Sequence, residues 1–396
     1  SSTSKAEFWG YPTVVGNLHN FGGRINMHGD LALLASNQYS KAKRLNPAVC
    51  GSGLFMEAIE QNPVYYELAF EMPCHPDSID LRAWLKQYAT RRYGAFSPAT
   101  QKAWMLLLEG PYRQGTNGTE KSSIVAARPA LDVKKSGPNA GLEIPYDPAL
   151  IIRAQSLLLE DADKLSASRP YRFDLVDVQR QMMTNLGQLI HRKAAEAFRS
   201  KDREAFTLHS ERFLGMLADM DTLLRTRSEY SFDRWLTEAR SWGETEEEKN
   251  QMERDATSLV TIWGADGDPR IFDYSWREWA GLINGYYLPR WQKFYTMLQQ
   301  HLDEGTSYEE AGLPQIYGRE AFRANDFYHA LAEWELSYVD TYGKARIPAT
   351  EGDEIDIVKR LFKKYFKLSQ EYYTDSIKLI KPSRDERTYE NLGEDL

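Results

Sequence analysis

A single carboxylate, Glu57, stands directly after a glycine-punctuated apolar segment and shortly before QNPVYYEL (61–68), which reads as a helix. The preceding segment AVCGSGLFM (48–56) has the composition of a short buried strand. Enzymes built on a β/α barrel place catalytic groups where strands end, because the loops that follow the strands form the active site. Glu57 is therefore a candidate catalytic group. A glutamate that merely caps the following helix is the structural alternative.

A second group of polar residues stands at the end of another predicted strand, in YPTVVGNLHNFGG (11–23). His19, Asn20 and Phe21 directly precede two glycines. Glycine lets a ligand approach the backbone closely, while asparagine and histidine can hydrogen-bond hydroxyl groups. These residues are candidates for substrate binding, with a structural turn as the alternative.

The third candidate segment, 261–294, combines aromatic residues with acidic ones. Aromatic faces stack on the apolar faces of sugar rings, and carboxylates accept hydrogen bonds from sugar hydroxyls. Trp263 and Tyr274 flank a loop rich in Gly, Asp and Pro and are the better site candidates. The other aromatics stand at helical spacing and are assigned to the core: Trp276, Trp279, Tyr286, Tyr287 and Trp291.

The sequence lacks the motifs that are typical of several other kinds of active site. The patterns GxxxxGK[ST], HExxH and GxSxG are absent, and the 7 His and 2 Cys are too few or too scattered for a metal site or a disulfide scaffold. We therefore expect neither a metal nor another cofactor. Among enzymes, a hydrolase that uses carboxylates remains.

The composition argues against two classes of binding partner, nucleic acids and membranes. A net charge of −8 argues against a nucleic-acid surface, and a hydrophobic content of 42% is ordinary for a globular protein. No segment approaches the roughly 20 apolar residues of a membrane span, so no membrane partner is expected. A chain of 396 residues exceeds the usual size of one hydrophobic core, which favours two structural units.

The two units differ in the secondary structure that their sequences predict. Residues 1–76 are expected to alternate strand, helix, strand and helix, with the first helix over 30–45, as parallel β/α units do. Residues 77–396 are predicted to form an all-α domain of about ten helices. Ser97-Pro98 and Asp147-Pro148 mark two helix starts. Further helices are predicted over 149–165, 173–200, 203–226, 230–242, 246–263, 275–303, 318–341 and 354–379.

Several motifs, in the order in which they occur along the chain, resemble those of the α-N-acetylglucosaminidases. This family includes a lysosomal heparan sulfate-degrading enzyme and bacterial relatives. They are LHNFGG (18–23), GSGLFMEAIEQNPVYYEL (51–68), WLKQYATRRYG (84–94), RFDLVDVQRQ (172–181) and the aromatic segment ending at 294. The resemblance implies a mainly α chain, with the last β/α units of a (β/α)8 barrel in 1–76. The all-α domain of 77–396 would contribute to the active site.

The resemblance also implies residue roles. Glu57 matches the nucleophile of a retaining hydrolase that removes terminal α-linked N-acetylglucosamine, with His19 or Asn20 expected to donate hydrogen bonds to it. Phe21, Trp263, Ile271 and Tyr274 match residues that line the sugar pocket. The general acid/base of the family lies on an upstream segment that this chain does not include.

This sequence departs from the family around the nucleophile, where Met56-Glu57-Ala58 replaces the usual Pro-Glu-Gly. The departure leaves open a hydrolase of another α-glycoside. A non-catalytic helical fragment that binds carbohydrate or a protein is the other alternative. The expected partners are a glycan with terminal N-acetylglucosamine and the upstream part of the same enzyme, and a homo-oligomer also stays open. From the resemblance, the compartment would be secreted, periplasmic or lysosomal.

Overall fold

The computed structural model describes residues 10–58, 60–113, 115, 121–138, 141–263, 272–308, 310, 325–346 and 349–373. Within these ranges the chain is mainly helical, which confirms the predicted class. None of the described helices has the length and apolar character needed to cross a membrane.

The amino-terminal segment forms two parallel strands, β1 (Thr13–Leu18) and β2 (Val49–Phe55). Leu18 lies opposite Phe55 in the register, and the ladder extends one step further through His19 N–H, which donates to Phe55 O at 3.2 Å. Parallel strands end at the same edge of a sheet. The residues that follow β1 and β2 are therefore brought side by side.

The crossover between the strands is helical, as predicted, but it is not one helix. It consists of α1 (Leu31–Ala35) and α2 (Gln38–Leu45), separated at Asn37, which has a left-handed backbone with φ of 56°. The Asn37 side chain accepts from Ser40 N–H and donates to the carbonyl oxygens of Met72, His75 and Asp77. These bonds stabilise the break, so the expectation of a single helix over 30–45 is wrong.

The rest of the described chain is a helical assembly, in which a π-helical turn (Ile283–Tyr287) leads directly into the twelfth helix. The helices are α3 (Pro63–Glu71), α4 (Leu81–Tyr93), α5 (Pro98–Glu109), α6 (Ala149–Glu160), α7 (Ala162–Leu165), α8 (Arg169–Arg199), α9 (Arg203–Leu224), α10 (Phe232–Arg240), α11 (Glu246–Leu259), α12 (Leu288–Glu304), α13 (Asp326–Asp340) and α14 (Glu354–Tyr372).

Helix α8 is the centre of this assembly and packs against α4, α6, α9 and α14. Because it is surrounded, it buries polar as well as apolar residues along most of its length. Arg180 is wholly buried and donates to Asp177, Glu278 and the Ile25 carbonyl oxygen. This network connects the central helix both to the segment after β1 and to the loop before α12.

One predicted helix begins later than expected. The helix expected over 275–303 starts only at Ile283, and residues 275–282 form a loop instead. Ala280 exchanges backbone hydrogen bonds with Tyr230 and Phe232, and Gly281 has φ of 85° with its N–H bonded to Asp221. These contacts replace helical hydrogen bonds.

The last two predicted helices are present with altered bounds. The helix expected over 318–341 is observed as α13 from Asp326, and the one expected over 354–379 is α14, which ends at Tyr372. Residues 311–324 and 374–396 lie outside the described part.

Candidate active site

Glu57 lies in the turn that follows β2, two residues after Phe55, with an exposed side chain. Its Oε2 accepts a hydrogen bond from the backbone N–H of Gly22 at 2.5 Å. The hydroxyl of Tyr274 donates to the same carboxylate, at 2.9 Å from Oε2 and 3.1 Å from Oε1. Charge-assisted bonds of this kind hold a carboxylate in a fixed orientation. The donors come from the loop after β1 and from the helical region.

Neither of the donors expected for Glu57 contacts its carboxylate, so that expectation is wrong. Asn20 instead holds the backbone of the turn: its Oδ1 accepts from Glu57 N–H at 2.9 Å, and its Nδ2 donates to Ala58 O at 3.1 Å. Asn20 is completely buried. It positions the carboxylate through the main chain of the turn.

His19 is also buried behind the turn. Its ring stacks on His28 and Tyr65 at centroid distances of 4.1 and 3.8 Å, and its two nitrogens lie 2.9 Å from Tyr66 Oη and 3.1 Å from His28 O. Burial, with a smaller contribution from His28, holds the pKa of His19 well below its usual range. The structure therefore places His19 in the packing behind the turn.

Two other predicted sugar contacts have different outcomes. Phe21 is half-buried and stands between Asn20 and Gly22 at the edge where Glu57 lies. Ile271 lies outside the described residues.

The loop after β1 comes unusually close to the helical region at Gly22. This glycine has φ of 67°, and a Cβ added to it would lie 2.4 Å from the carbonyl oxygen of Tyr274. Its own carbonyl oxygen accepts from Ser275 Oγ at 2.5 Å and from the Arg277 guanidinium. Arg24 Nε completes the contact by donating to Tyr274 O at 2.9 Å. Only glycine meets both the backbone conformation and the space at this position.

Trp263 and Tyr274 form an aromatic corner beside Glu57. Their ring centroids are 4.7 Å apart with an interplanar angle of 61°, and both residues are half-buried. Trp263 has a left-handed backbone with φ of 55°, held by its N–H bond to Ser258 O at 2.7 Å. The structure thus brings together the two aromatic residues that the sequence singled out.

A buried ion pair holds the backbone next to the aromatic corner in place. Asp273 has φ of 54° and accepts two bonds from Arg290, at 3.0 and 2.9 Å. Arg290 also lies 3.3 Å from Glu335, which in turn contacts Arg128 at 3.2 Å. Burial raises the pKa of Asp273 to about 6, against the opposing effect of Arg290. Asp273 directly precedes Tyr274, so this pair fixes the backbone from which the tyrosine reaches Glu57.

A cleft of about 370 Å³ opens beside Glu57, and several of its walls were not predicted. Trp279 is buried in the core, as predicted, although residues 275–281 form a loop and not a helix, and it also borders the cleft. Other unpredicted lining residues come from distant segments: Gly22, Glu60, Arg234, Trp235, Glu238 and Arg277. No sequence spacing connects them, because α10 lies far along the chain from β2. The described residues contain no cluster of three or more His, Cys, Asp or Glu arranged to hold a metal ion.

Comparison with known protein families identifies the class of protein. Residues 2–76 match the tim-barrel domain model of α-N-acetylglucosaminidase, and residues 84–364 match the C-terminal domain model of the same family. The chain belongs to the α-N-acetylglucosaminidase family, which confirms the resemblance drawn from its motifs.

Individual relatives agree with this assignment. Human α-N-acetylglucosaminidase (Homo sapiens) is 32% identical over 373 residues, which are 92% of this chain and 46% of the human protein. A family 89 glycoside hydrolase from Clostridium perfringens, solved in complex with PUGNAc, superposes with a TM-score of 0.80 at 27% identity. That match covers 91% of this chain and 40% of the bacterial one. The chain thus spans less than half the length of these relatives.

A further structure of the Clostridium perfringens protein carries two Glu→Gln substitutions and contains its substrate, GlcNAc-α-1,4-galactose. It matches with a TM-score of 0.80 at 26% identity and also covers 91% of this chain and 40% of that one.

Proposed function

We propose that this chain is part of a retaining glycoside hydrolase that removes terminal α-linked N-acetylglucosamine, and that Glu57 is its nucleophile. The observation that carries the proposal is the setting of Glu57. Its carboxylate stands at the carboxyl end of a parallel strand, is oriented by Gly22 N–H and Tyr274 Oη, and opens on a cleft with an aromatic wall. The relatives supply the class of substrate, since one is solved with a GlcNAc-α-linked disaccharide.

In the proposed mechanism, one Glu57 oxygen attacks the anomeric carbon while the bond to the leaving oxygen breaks. A second carboxylic acid, about 5–5.5 Å from the first, gives its proton to that oxygen. Water then attacks the covalent intermediate, returns a proton to the second group and releases Glu57 as a carboxylate. We place this second group on a segment of the longer protein that precedes residue 1. Tyr274 and Gly22 orient Glu57, and Trp263 with Tyr274 packs against the sugar ring.

The same proposal divides the chain at residues 76 and 77, into the last β/α units of a (β/α)8 barrel and an all-α domain. Among the described residues, β1 pairs with β2 alone. The face of the sheet that turns away from the helices is apolar and exposed, with Val14 54%, Leu18 47% and Phe55 58% accessible. Glu57 follows Phe55 by two residues, so it emerges at the end of this face. The remaining strands of a barrel would cover such a surface.

The nucleophile is tested in the complete enzyme, with the upstream part present, by the substitution Glu57→Gln. We expect hydrolysis of 4-nitrophenyl α-N-acetylglucosaminide to fall by several orders of magnitude, because no covalent intermediate can form. Glu67→Gln is the control, since Glu67 is a half-exposed carboxylate on α3 in the same segment but outside the cleft. It should retain activity. Near-normal turnover by Glu57→Gln would exclude the assignment.

Azide provides a positive test of the same role. In Glu57→Ala, added azide should restore turnover and give a glycosyl azide of inverted configuration, because the small anion takes the position of the missing carboxylate. Residues 1–396 expressed alone should be inactive until the upstream part is supplied. A panel of chromogenic α-glycosides tests whether N-acetylglucosaminide is the preferred substrate. Secretion, a periplasmic or lysosomal location and the oligomeric state stay predictions.

A further inference from the structure

Two side chains from the loop before the π-helical turn meet at the carbonyl oxygen of Gly22. Ser275 Oγ donates to this oxygen at 2.5 Å, and Arg277 Nη1 donates to it as well. The same Nη1 donates to Ser275 O at 2.8 Å, which connects the two donors. Gly22, Ser275 and Arg277 are all buried. Removal of both donors would therefore leave the Gly22 oxygen unsatisfied.

Arg277 is itself held in a fixed position. Its guanidinium lies over the ring of Trp279, with Cζ 5.3 Å from the ring centroid. Its backbone N–H donates at 3.2 Å to the hydroxyl of Tyr287, which is wholly buried in the π-helical turn. Arg277 borders the cleft but is only 5% exposed, and its Nη1 is directed at backbone oxygens. These contacts suit a side chain that fixes the main chain.

Gly22 connects this contact to Glu57. Its N–H donates to Glu57 Oε2 at 2.5 Å. Only two backbone torsions separate the N–H of a residue from its own carbonyl oxygen, so fixing the oxygen also restricts the N–H. The next residue, Gly23, packs directly on the turn that contains Glu57, since an added Cβ would lie 2.4 Å from Ala58 Cβ. A shift of the Gly22 carbonyl would therefore disturb both the donor to the carboxylate and the packing of its backbone.

We propose that Arg277 and Ser275 are positioning residues for Glu57. By fixing the carbonyl oxygen of Gly22, they hold the Glu57 carboxylate in the orientation that attack on the anomeric carbon requires. This inference rests on the proposed function, because it assigns the two side chains to the step in which Glu57 is the nucleophile. They act through the main chain and not on the substrate. Their removal should therefore slow only a reaction that uses Glu57.

The test begins with the complete enzyme and 4-nitrophenyl α-N-acetylglucosaminide. In Arg277→Met, which removes every side-chain donor, kcat/KM should fall by about 100-fold, the loss expected when a reacting group moves by about 1 Å. Ser275→Ala removes one hydrogen bond to the same oxygen and should lower kcat/KM by about tenfold. Arg277→Lys keeps the charge and a donor, although not the planar geometry, so it should retain more activity than Arg277→Met.

Azide distinguishes positioning of Glu57 from a general loss of structure. In Glu57→Ala the azide ion itself attacks the anomeric carbon, so turnover no longer depends on where the side chain of residue 57 points. Arg277→Met or Ser275→Ala, added to Glu57→Ala, should leave turnover at saturating azide unchanged, so that the effects of the two substitutions are not additive. A distorted sugar pocket would instead lower both activities. Calorimetry of PUGNAc binding is a second measurement, and the affinity should also be unchanged.

Arg92→Met and Ser210→Ala are the matched controls. Arg92 is a mostly buried arginine on α4 that pairs with Asp174 at 2.7 Å. Ser210 is a buried serine on α9 whose Oγ donates to Thr207 O at 3.1 Å. Neither lines the cleft. Both substitutions should leave the activity that uses Glu57 and the activity that uses azide unchanged, and urea denaturation measures what each costs in stability.

The outcomes separate the two proposals. If Glu57→Gln has near-normal activity, the proposed function fails. If Glu57→Gln is inactive but Arg277→Met and Ser275→Ala keep near-normal activity, the inference is overturned while the hydrolase function stands. It is also overturned if they lower the azide-dependent rate as much as the rate that depends on Glu57.

Two further measurements keep the inference testable. If azide restores no turnover to Glu57→Ala, the affinity for PUGNAc decides, and weaker binding by Ser275→Ala or Arg277→Met overturns the inference. Should Arg277→Met not fold, Ser275→Ala decides alone, since it removes a single oxygen atom.

Discussion

Gly22 offers the sharpest test of how the site is assembled, through the substitution Gly22→Ala. The left-handed backbone of residue 22, with φ of 67°, costs alanine about 1–2 kcal/mol. The new Cβ would also lie 2.4 Å from the backbone oxygen of Tyr274, so one of the two segments must move by about 1 Å. Forced packing of this kind costs a further 1–3 kcal/mol or so. We expect the free energy of unfolding to fall by about 2–5 kcal/mol.

The same displacement should reduce activity, because both hydrogen-bond donors to Glu57 belong to the segments that must separate. Gly22 N–H and Tyr274 Oη are 2.5 and 2.9 Å from the carboxylate. A displacement of about 1 Å in a reacting group can cost about 100-fold in rate. We expect kcat/KM of the complete enzyme to fall by about two orders of magnitude.

Gly94→Ala is the matched control. Gly94 ends α4 with φ of 75°, and an added Cβ would meet no atom within 4 Å. This substitution keeps the backbone penalty of about 1–2 kcal/mol and omits the collision. Urea denaturation and steady-state kinetics are measured for both variants. If Gly22→Ala is no less stable than Gly94→Ala and is equally active, the reasoning about close approach is refuted.

Two further predictions concern a site aromatic and a buried histidine. Trp263→Ala should weaken binding of PUGNAc, the ligand of one Clostridium perfringens relative, by the complete enzyme, as measured by calorimetry. It should cost less stability than the roughly 3–5 kcal/mol expected for core Trp276→Ala. Unchanged binding with a core-sized loss of stability would contradict the site role. Burial lowers the pKa of His191 to about 4, so the unfolded chain takes up a proton below about pH 6.5 that the folded chain does not, and stability is lost as the pH falls from 6.5 towards 4. Between pH 7 and pH 5 the loss of stability amounts to about 2 kcal/mol. His191→Asn should remove this loss, so that the free energy of unfolding falls less steeply between pH 7 and pH 5. An unaltered pH dependence would show that another group is responsible.

Local signals in the sequence were sufficient for most elements. Ser97 caps α5 with Pro98 at its first position, as the motif predicted, because capping needs only neighbouring residues. The two strands also lie where their composition placed them. The helix break at Asn37 was missed, since its bonds to Met72, His75 and Asp77 come from a segment more than thirty residues away.

The sequence by itself determined the candidate residues and the family, because a carboxylate after a strand and an aromatic loop are local patterns that a motif can preserve. It did not determine how they meet. Glu57 and Tyr274 are 217 residues apart, and their hydrogen bond depends on the packing of Gly22 against Tyr274. The sequence suggested His19 or Asn20 as hydrogen-bond donors to Glu57, but the fold brings Gly22 N–H and Tyr274 Oη within reach of the carboxylate instead. Tertiary structure alone could decide this, because hydrogen bonds depend on distance and direction in space and not on separation along the chain.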